Sequence, residues 1–416
     1  RRVERLEDRV RGERRGDEAR LARHLAEAGR LEEAADALLD AARTHKEAAE
    51  FEQALSRLDR HATILDEHDL PDAGRRRARE KLERIGIWKG RGRQRRALDE
   101  AESLRPRAEE QGWDDLLVEI YRTLAVGQLY GGDAAEARRW LHSCRELAEA
   151  TDNARELGYA DRYEASVELQ EGEPERALEL LDRAEDHFRR AGDEARVATV
   201  YEKVGYVHMQ TDRLERATGR IRKSLDILRN SDVHRPIRIA SALNALGDAH
   251  RLRGRHGRAL EYYREARAIF ERADMRSYAA TVELNAGLCS MARGSTDQAR
   301  RALCSARTDF DRAGAEPKRV IAEIGLIACA AQMEDWQRWR DLYEDVEAWL
   351  ADRDFADRDA AEAAERAGEA TVQYGRPEWA ERLYRLAAEQ WIELGHDDRR
   401  DRVRRRLEKL DTTQSA

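Results

Sequence analysis

Five polar side chains recur at nearly one interval: Arg122, Arg162, Lys203, Asn244 and Asn285 are separated by 40, 41, 41 and 41 residues. Guanidinium, ammonium and carboxamide groups can all hold carboxylates or backbone amides. If each occupies the same place in a stacked structural unit, the five form one row with cations at one end and amides at the other. Such a row can grip an extended peptide. Val126, Ser166, Tyr206, Asp248 and Leu288 follow about one helical turn later and flank it. With Tyr206 and Asp248 added, the candidate binding set is Arg122, Arg162, Lys203, Tyr206, Asn244, Asp248 and Asn285. The competing reading is compositional, because in a chain with 39% charged residues exposed positions are often polar anyway.

No catalytic chemistry competes with this. The sequence lacks a G-x-x-x-x-G-K-[ST] phosphate loop, the H-R-D and D-F-G signatures of kinases, an H-E-x-x-H metal motif and a nucleophile elbow around any Ser. His208 and His250 stand at apolar-stripe positions and read as core fillers. Carboxylates are abundant, but abundance on solvated helix faces does not pair an acid with a base. The segment is expected to be no enzyme, to hold no cofactor and no metal, and to leave ATP intact.

The elements that position the row are clearest in residues 240–274. Leu243, Leu246, Gly247 and His250 recur at helical spacing, Gly254 interrupts, and Ala259, Tyr263 and Ala266 resume it, giving two short helices and a turn. Gly247 and Ala259 are small where a core usually wants Leu, which predicts two helix backbones crossing closely. The small residue opening each second helix falls at Ala97, Ala137, Ala177, Ala217, Ala259, Ala299, Trp339 and Ala380, at intervals of 40, 40, 40, 42, 40, 40 and 41 residues. Gly132, Gly172, Gly254, Gly294 and Gly375 each stand five residues earlier, where a helix end needs a positive φ. Pro174 and Pro377 stand where the next helix begins.

This pattern resembles the tetratricopeptide family, in the long MalT-like form with a period near 40. The resemblance implies an all-α, right-handed α-solenoid of nine to ten stacked helical hairpins, with the first helices lining a concave groove and the candidate row in that groove. The family's Pro at the end of each unit is mostly missing, which leaves the turns between repeats open. Residues 21–42, LARHLAEAGRLEEAADALLDAA, resemble the start of the repeat region in bacterial serine/threonine kinases and signalling ATPases. That implies a sensor or scaffold arm of a multidomain signalling protein, with a free-standing adaptor as the alternative.

The expected organisation is helical pairs sharing a helix over 1–70, a basic hairpin at 71–107, a regular array over 108–395 and a capping helix and tail at 396–416. Residues 1–20 read as a solvated lead-in helix. Residues 71–107 hold 13 basic against six acidic side chains around Trp88. They keep the hairpin spacing, so their charges are expected on a solvated face rather than on a nucleic acid. The net charge of −8 argues the same way. Trp336, Trp339, Trp349, Trp379 and Trp391 make the last quarter aromatic, read as indoles filling looser helix crossings in preference to a ligand pocket. Cys144, Cys289, Cys304 and Cys329 form no C-x-x-C pair and read as reduced core thiols of a cytoplasmic protein. No apolar run is long enough to span a membrane. The Arg at position 1 predicts a piece of a longer protein.

Overall fold

The structure, a computed structural model, describes residues 17–231, 235–351, 353 and 355–414. The lead-in helix expected before Asp17 lies outside them. Among the described residues there are twenty α-helices and no strand, most of the helices 15 to 18 residues long. The chain divides between Ala245 and Leu246 into two compact units. Each is an α-solenoid of antiparallel helical hairpins. Asp114–Gly131 packs on Ala134–Ala150, Ala154–Gln170 on Pro174–Arg190, and Glu194–Gln210 on Leu214–Asn230 in the first unit. In the second, Arg276–Ala292 packs on Thr296–Ala313 and Arg358–Gln373 on Pro377–Glu393. Near the start of the chain, Leu31–Glu47 packs against both Asp17–Glu27 and Phe51–Glu67.

The turns explain why the helices are nearly equal in length. Gly92, Gly112, Gly132, Asp152, Gly172, Gly192 and Asp212 all have positive φ, at a spacing of 20 residues. Four of these are turns within a hairpin and three are turns between hairpins, so the two connections have the same geometry. Each closes as a Schellman motif: at Gly254, for example, its N–H donates to the Arg251 carbonyl at 2.9 Å and the Arg255 N–H to the His250 carbonyl at 2.8 Å. Some of the next helices start with a side-chain cap from Asp133, Asn153, Asp193 or Asp335, some with Pro at the first position as at Pro174 and Pro377, and others, such as the one after Gly254, with neither. The terminal Pro of the repeat is dispensable because this turn already stops the helix.

The small residues opening the second helices are all buried, each at most 2% exposed, Trp339 included. Gly247 differs from expectation in what it accommodates. Its missing Cβ leaves room for the ring of Tyr263 and not for a second backbone. The indoles are core: Trp339 donates Nε1–H to Thr371 Oγ1 at 3.0 Å and stacks on Tyr343, and Trp391 donates to Glu365 at 2.7 Å. Helix Asp397–Gln414 covers that core with Val403 and Leu410.

Most arginines of the basic stretch are spent on ion pairs. Arg75 reaches Asp115, Arg76 reaches Asp36, Arg77 reaches Asp66, Arg84 reaches Asp59 and Arg91 reaches Glu52. Most of these partners lie on neighbouring helices one repeat away. Trp88 is buried, donates to Glu100 at 3.2 Å and carries the Arg96 guanidinium 3.9 Å above its ring. No ring there is free to stack a base.

A candidate peptide-binding surface

Within the first unit, the first helices of successive hairpins bring their middle residues toward one another. Arg122 donates Nε–H to Glu156 Oε2 at 2.8 Å and lies 4.2 Å from the Tyr159 ring centroid. Arg162 stacks 4.2 Å above Tyr163, with its Nε buried and without a hydrogen-bond partner. Lys203 holds its ammonium 4.9 Å from the ring of Tyr206, which is 42% exposed and accepts a hydrogen bond from Gln210 at 2.8 Å. Asn244 belongs to the same unit and is half-buried.

The electrostatics show that these groups share an interior. Burial lowers the Lys203 pKa to about 8, helped by the Arg162 charge. Lys89 is likewise lowered to about 8 by burial, with Arg122, Lys46 and Arg162 adding to it and the Tyr163 phenol opposing. Tyr163 moves the other way: burial raises its pKa, but Arg162, Lys89, Arg122 and Arg196 together pull it down to about 7. Burial and the nearby Arg196 hold Arg238 down to about 10. Burial pushes the Glu202 carboxyl up to about 7 against the pull of Arg238, a hydrogen bond from Ser224 and Arg162. Groups two repeats apart in sequence therefore sense one another across a common inner face. Arg235, just before helix Pro236–Leu252, reaches Glu47 at the end of helix Leu31–Glu47 at 3.3 Å. That pair joins the first and last parts of this unit.

The second unit uses its candidates differently. Asn285, 5% exposed, donates Nδ2–H to Asp248 Oδ1 at 2.9 Å, and the Tyr263 hydroxyl donates to the same oxygen at 2.6 Å. The structure thus brings Asp248 and Asn285 together as partners of each other. A charged cavity of about 210 Å³ nearby is lined by five arginines, Arg251 and Arg366 among them, and by the four carboxylates of Asp359, Glu362, Glu365 and Glu369, so its charges largely cancel.

The remaining candidates for chemistry are quiet. His208 and His250 are buried, as expected of core fillers. Cys144, Cys289, Cys304 and Cys329 are all free, and burial pushes the thiols of Cys144, Cys289 and Cys329 up to about 12. Among the described residues no group of His, Cys, Asp and Glu could hold a metal ion, and no helix is long and apolar enough to cross a membrane.

The sequence profile of the tetratricopeptide repeat matches residues 196–272. Those residues match the tetratricopeptide repeat, and the chain as a whole shares the helical-solenoid fold of proteins built from it. Among solved structures, the array is similar to a Rap protein complexed with Competence and Sporulation Factor, at 14% identity and a TM-score of 0.55, covering 92% of this chain and 98% of that one. It is also similar to a signal-transduction ATPase with a tetratricopeptide-repeat sensor from Pyrococcus horikoshii, at 14% identity and a TM-score of 0.54, covering 84% of this chain and 52% of the other. The apo quorum sensor NprR from B. thuringiensis gives 13% identity and a TM-score of 0.52, over 87% of this chain and 98% of that one. No curated protein matches the chain.

In this array, three contributors to the first unit's inner face fall outside the five-residue row: Lys89, Arg196 and Arg238. A signal for two of them exists in the sequence. Arg196 precedes Lys203 by seven residues, two helical turns on the same face, and Arg238 follows Arg196 by 42 residues, one repeat on. Lys89 stands out only as one of seven Lys beside 70 Arg.

Proposed function

We propose that this repeat array is the ligand-binding arm of a signalling protein and takes a protein or peptide partner on the inner face of its first helices. The observation that carries the reading is the first unit's inner face, where Arg162 and Lys203 stand without a carboxylate within ion-pair distance among the described residues. Cations half-buried on one helical face and left without a carboxylate partner are suited to an extended ligand. Fold likeness to a Rap protein crystallised with a signalling factor and to a sensor region of a signalling ATPase supports the same class of function. The proposal includes attachment to a regulatory ATPase or a serine/threonine kinase outside these residues. For the ATPase, the likeness to the Pyrococcus protein, of which this chain covers 52%, is the support. It also includes a reducing, cytoplasmic setting, supported by four free thiols.

The test is capture of partners from a lysate of the source cell and on a peptide array, with the intact segment and with a Lys203→Ala, Asn244→Ala double variant. Binding by the segment that the double variant weakens at least tenfold supports the reading. Partners bound equally by both, or no partner for either, would overturn the inner face as the site.

A further inference from the structure

By formal count the lining of the second unit's cavity nearly balances, but its side chains are unevenly engaged. Each of the four carboxylates already accepts from the protein. Asp359 and Glu362 take Arg251 at 2.5 and 3.2 Å, Glu365 takes Arg406 at 3.1 Å and Trp391 at 2.7 Å, and Glu369 takes Arg406 at 2.5 Å. Arg366, Arg399 and Arg402, the other three arginines of the lining, form no ion pair among the described residues. Arg366 and Arg399 are half-buried and Arg402 is exposed. Even Arg251, whose side chain is 9% exposed, keeps a buried Nε–H without an acceptor. The cavity is thus rich in donors that bond to nothing and poor in free acceptors. Its arginines also converge. Arg251 ends helix Pro236–Leu252, Arg366 comes from helix Arg358–Gln373, and helix Asp397–Gln414 brings Arg399, Arg402 and Arg406 at helical spacing on one face. The His256 ring in the same lining feels the result: burial lowers its pKa first, and Arg366, Arg251 and Arg293 lower it further, with Glu362 opposing.

We propose that this cavity binds a single phosphate group, free or as the monoester of a small molecule, held by Arg366, Arg399 and Arg402 with the Arg251 Nε–H as a further donor. The site lies within the second unit and is independent of the peptide-binding reading of the first. An anion is required because the unengaged groups are cations and donors. A phosphate suits them better than a carboxylate. It is tetrahedral, accepts on three oxygens and carries about −1.5 to −2 charge at pH 7, so it can take guanidinium groups that arrive from separate helices, whereas a carboxylate offers two oxygens in one plane. Size sets the other limit. At about 210 Å³ the cavity falls below the roughly 300 Å³ at which pockets for drug-sized ligands begin, so it encloses a group of a few heavy atoms and no more. The exposed Arg402 leaves the lining open to solvent, where the rest of a monoester would lie.

The test is calorimetric titration and thermal denaturation of the full chain with inorganic phosphate, with phenyl phosphate and with phenylacetate, all at matched ionic strength. Expected are saturable binding and a raised melting temperature with a phosphate, and binding of phenylacetate weaker by at least about tenfold. Inorganic phosphate binding as tightly as phenyl phosphate would make the free ion the ligand, and tighter phenyl phosphate the monoester. Arg366→Gln with Arg402→Gln removes two cations that no carboxylate holds. It should weaken phosphate binding by at least about tenfold and leave the melting temperature of the ligand-free chain unchanged. Undiminished binding by this variant, equal binding of phenylacetate, or no saturable binding of either phosphate would overturn the proposal. A double variant that melts lower makes Arg402→Gln alone the deciding one, because that position is exposed. It should weaken binding by about threefold or more at an unaltered melting temperature, and unchanged affinity would count against the site.

Discussion

A Cβ placed on Gly247 would lie 2.3 Å from Cε1 of Tyr263. The ring cannot step aside, because Tyr263 is 1% exposed and its hydroxyl is tied to Asp248 at 2.6 Å. Gly247→Ala should therefore destabilise by about 1–2 kcal/mol, the overpacking cost less what Ala gains in helix propensity. Gly257→Ala, ten residues on with nothing within 4 Å of the added carbon, should be neutral or stabilise by up to about 1 kcal/mol. Chemical denaturation of the two variants separates them. Equal effects would show that the ring relaxes away from Gly247.

Glu334 occupies a turn position filled by Gly at residues 132, 172, 254, 294 and 375, and it does so at φ 57°. A side chain in the left-handed region costs about 1–2 kcal/mol, against about 0.5–1 kcal/mol of extra chain entropy lost by Gly. Glu334→Gly should raise stability by about 0.5–1 kcal/mol, measured as a higher denaturation midpoint at an unchanged m-value. Gly254→Val, at φ 70°, should lower it by about 1–2 kcal/mol.

These two sites show what could be read before folding. The apolar stripe of Leu243, Leu246, Ala259 and Tyr263 repeats because hairpin stacking demands it, so the solenoid is legible from spacing alone. Gly132, Gly172, Gly254, Gly294 and Gly375 mark turns within hairpins. Asp152, Asp212, Asp274 and Glu334 take the same left-handed conformation without the Gly that advertises it, and Gly112, Gly192, Gly314 and Gly395 close turns between hairpins, outside the 40-residue pattern of second-helix starts. At the site, Arg162 and Lys203 were legible as a period. The partnership of Asn285 with Asp248 was not, because it joins side chains 37 positions apart and depends on which rotamers two neighbouring helices allow. Lys89 escaped for a similar reason, since its tie to Arg162 and Tyr163 passes through space between helices two repeats apart.

The Asp248 carboxyl has its pKa raised to about 6, chiefly by burial, with Arg251 and the Tyr263 hydrogen bond opposing and Asp359 reinforcing. Asp357, raised to about 6 by burial and Asp359, moves in the same direction. In the unfolded chain an Asp titrates near 4, so between about pH 4 and 6 the folded state holds protons that the unfolded state has lost. The stabilisation from these groups is fully present below about pH 4 and is lost as pH rises through about 6. Asp248→Asn keeps the oxygen that accepts from Tyr263 and Asn285 but removes the titration. Its stability should therefore fall less than that of the unaltered chain between pH 4.5 and 7. Urea midpoints at the two pH values check this, and identical pH dependences would mean that Asp248 ionises as a solvated carboxylate.

Arg251 is the point at which parts of the second unit far apart in sequence are tied. It lies at the end of helix Pro236–Leu252, is largely buried, and donates to Asp359 Oδ1 at 2.5 Å and Glu362 Oε2 at 3.2 Å near the start of helix Arg358–Gln373. Breaking a buried pair from one side costs about 3–5 kcal/mol, because the partner charge is left behind. Here the carboxylates are 27% and 21% exposed and Arg358 also faces Glu362 at 3.4 Å, so the cost of Arg251→Met should be smaller, about 1–3 kcal/mol. Arg251→Lys should recover only part, since one ammonium cannot fork to two carboxylates. Adding Asp359→Asn and Glu362→Gln to Arg251→Met removes the stranded charges and should restore most of the loss. Denaturation of the single and triple variants decides the matter: a triple variant no more stable than Arg251→Met would show that lost packing, and not stranded charge, sets the cost.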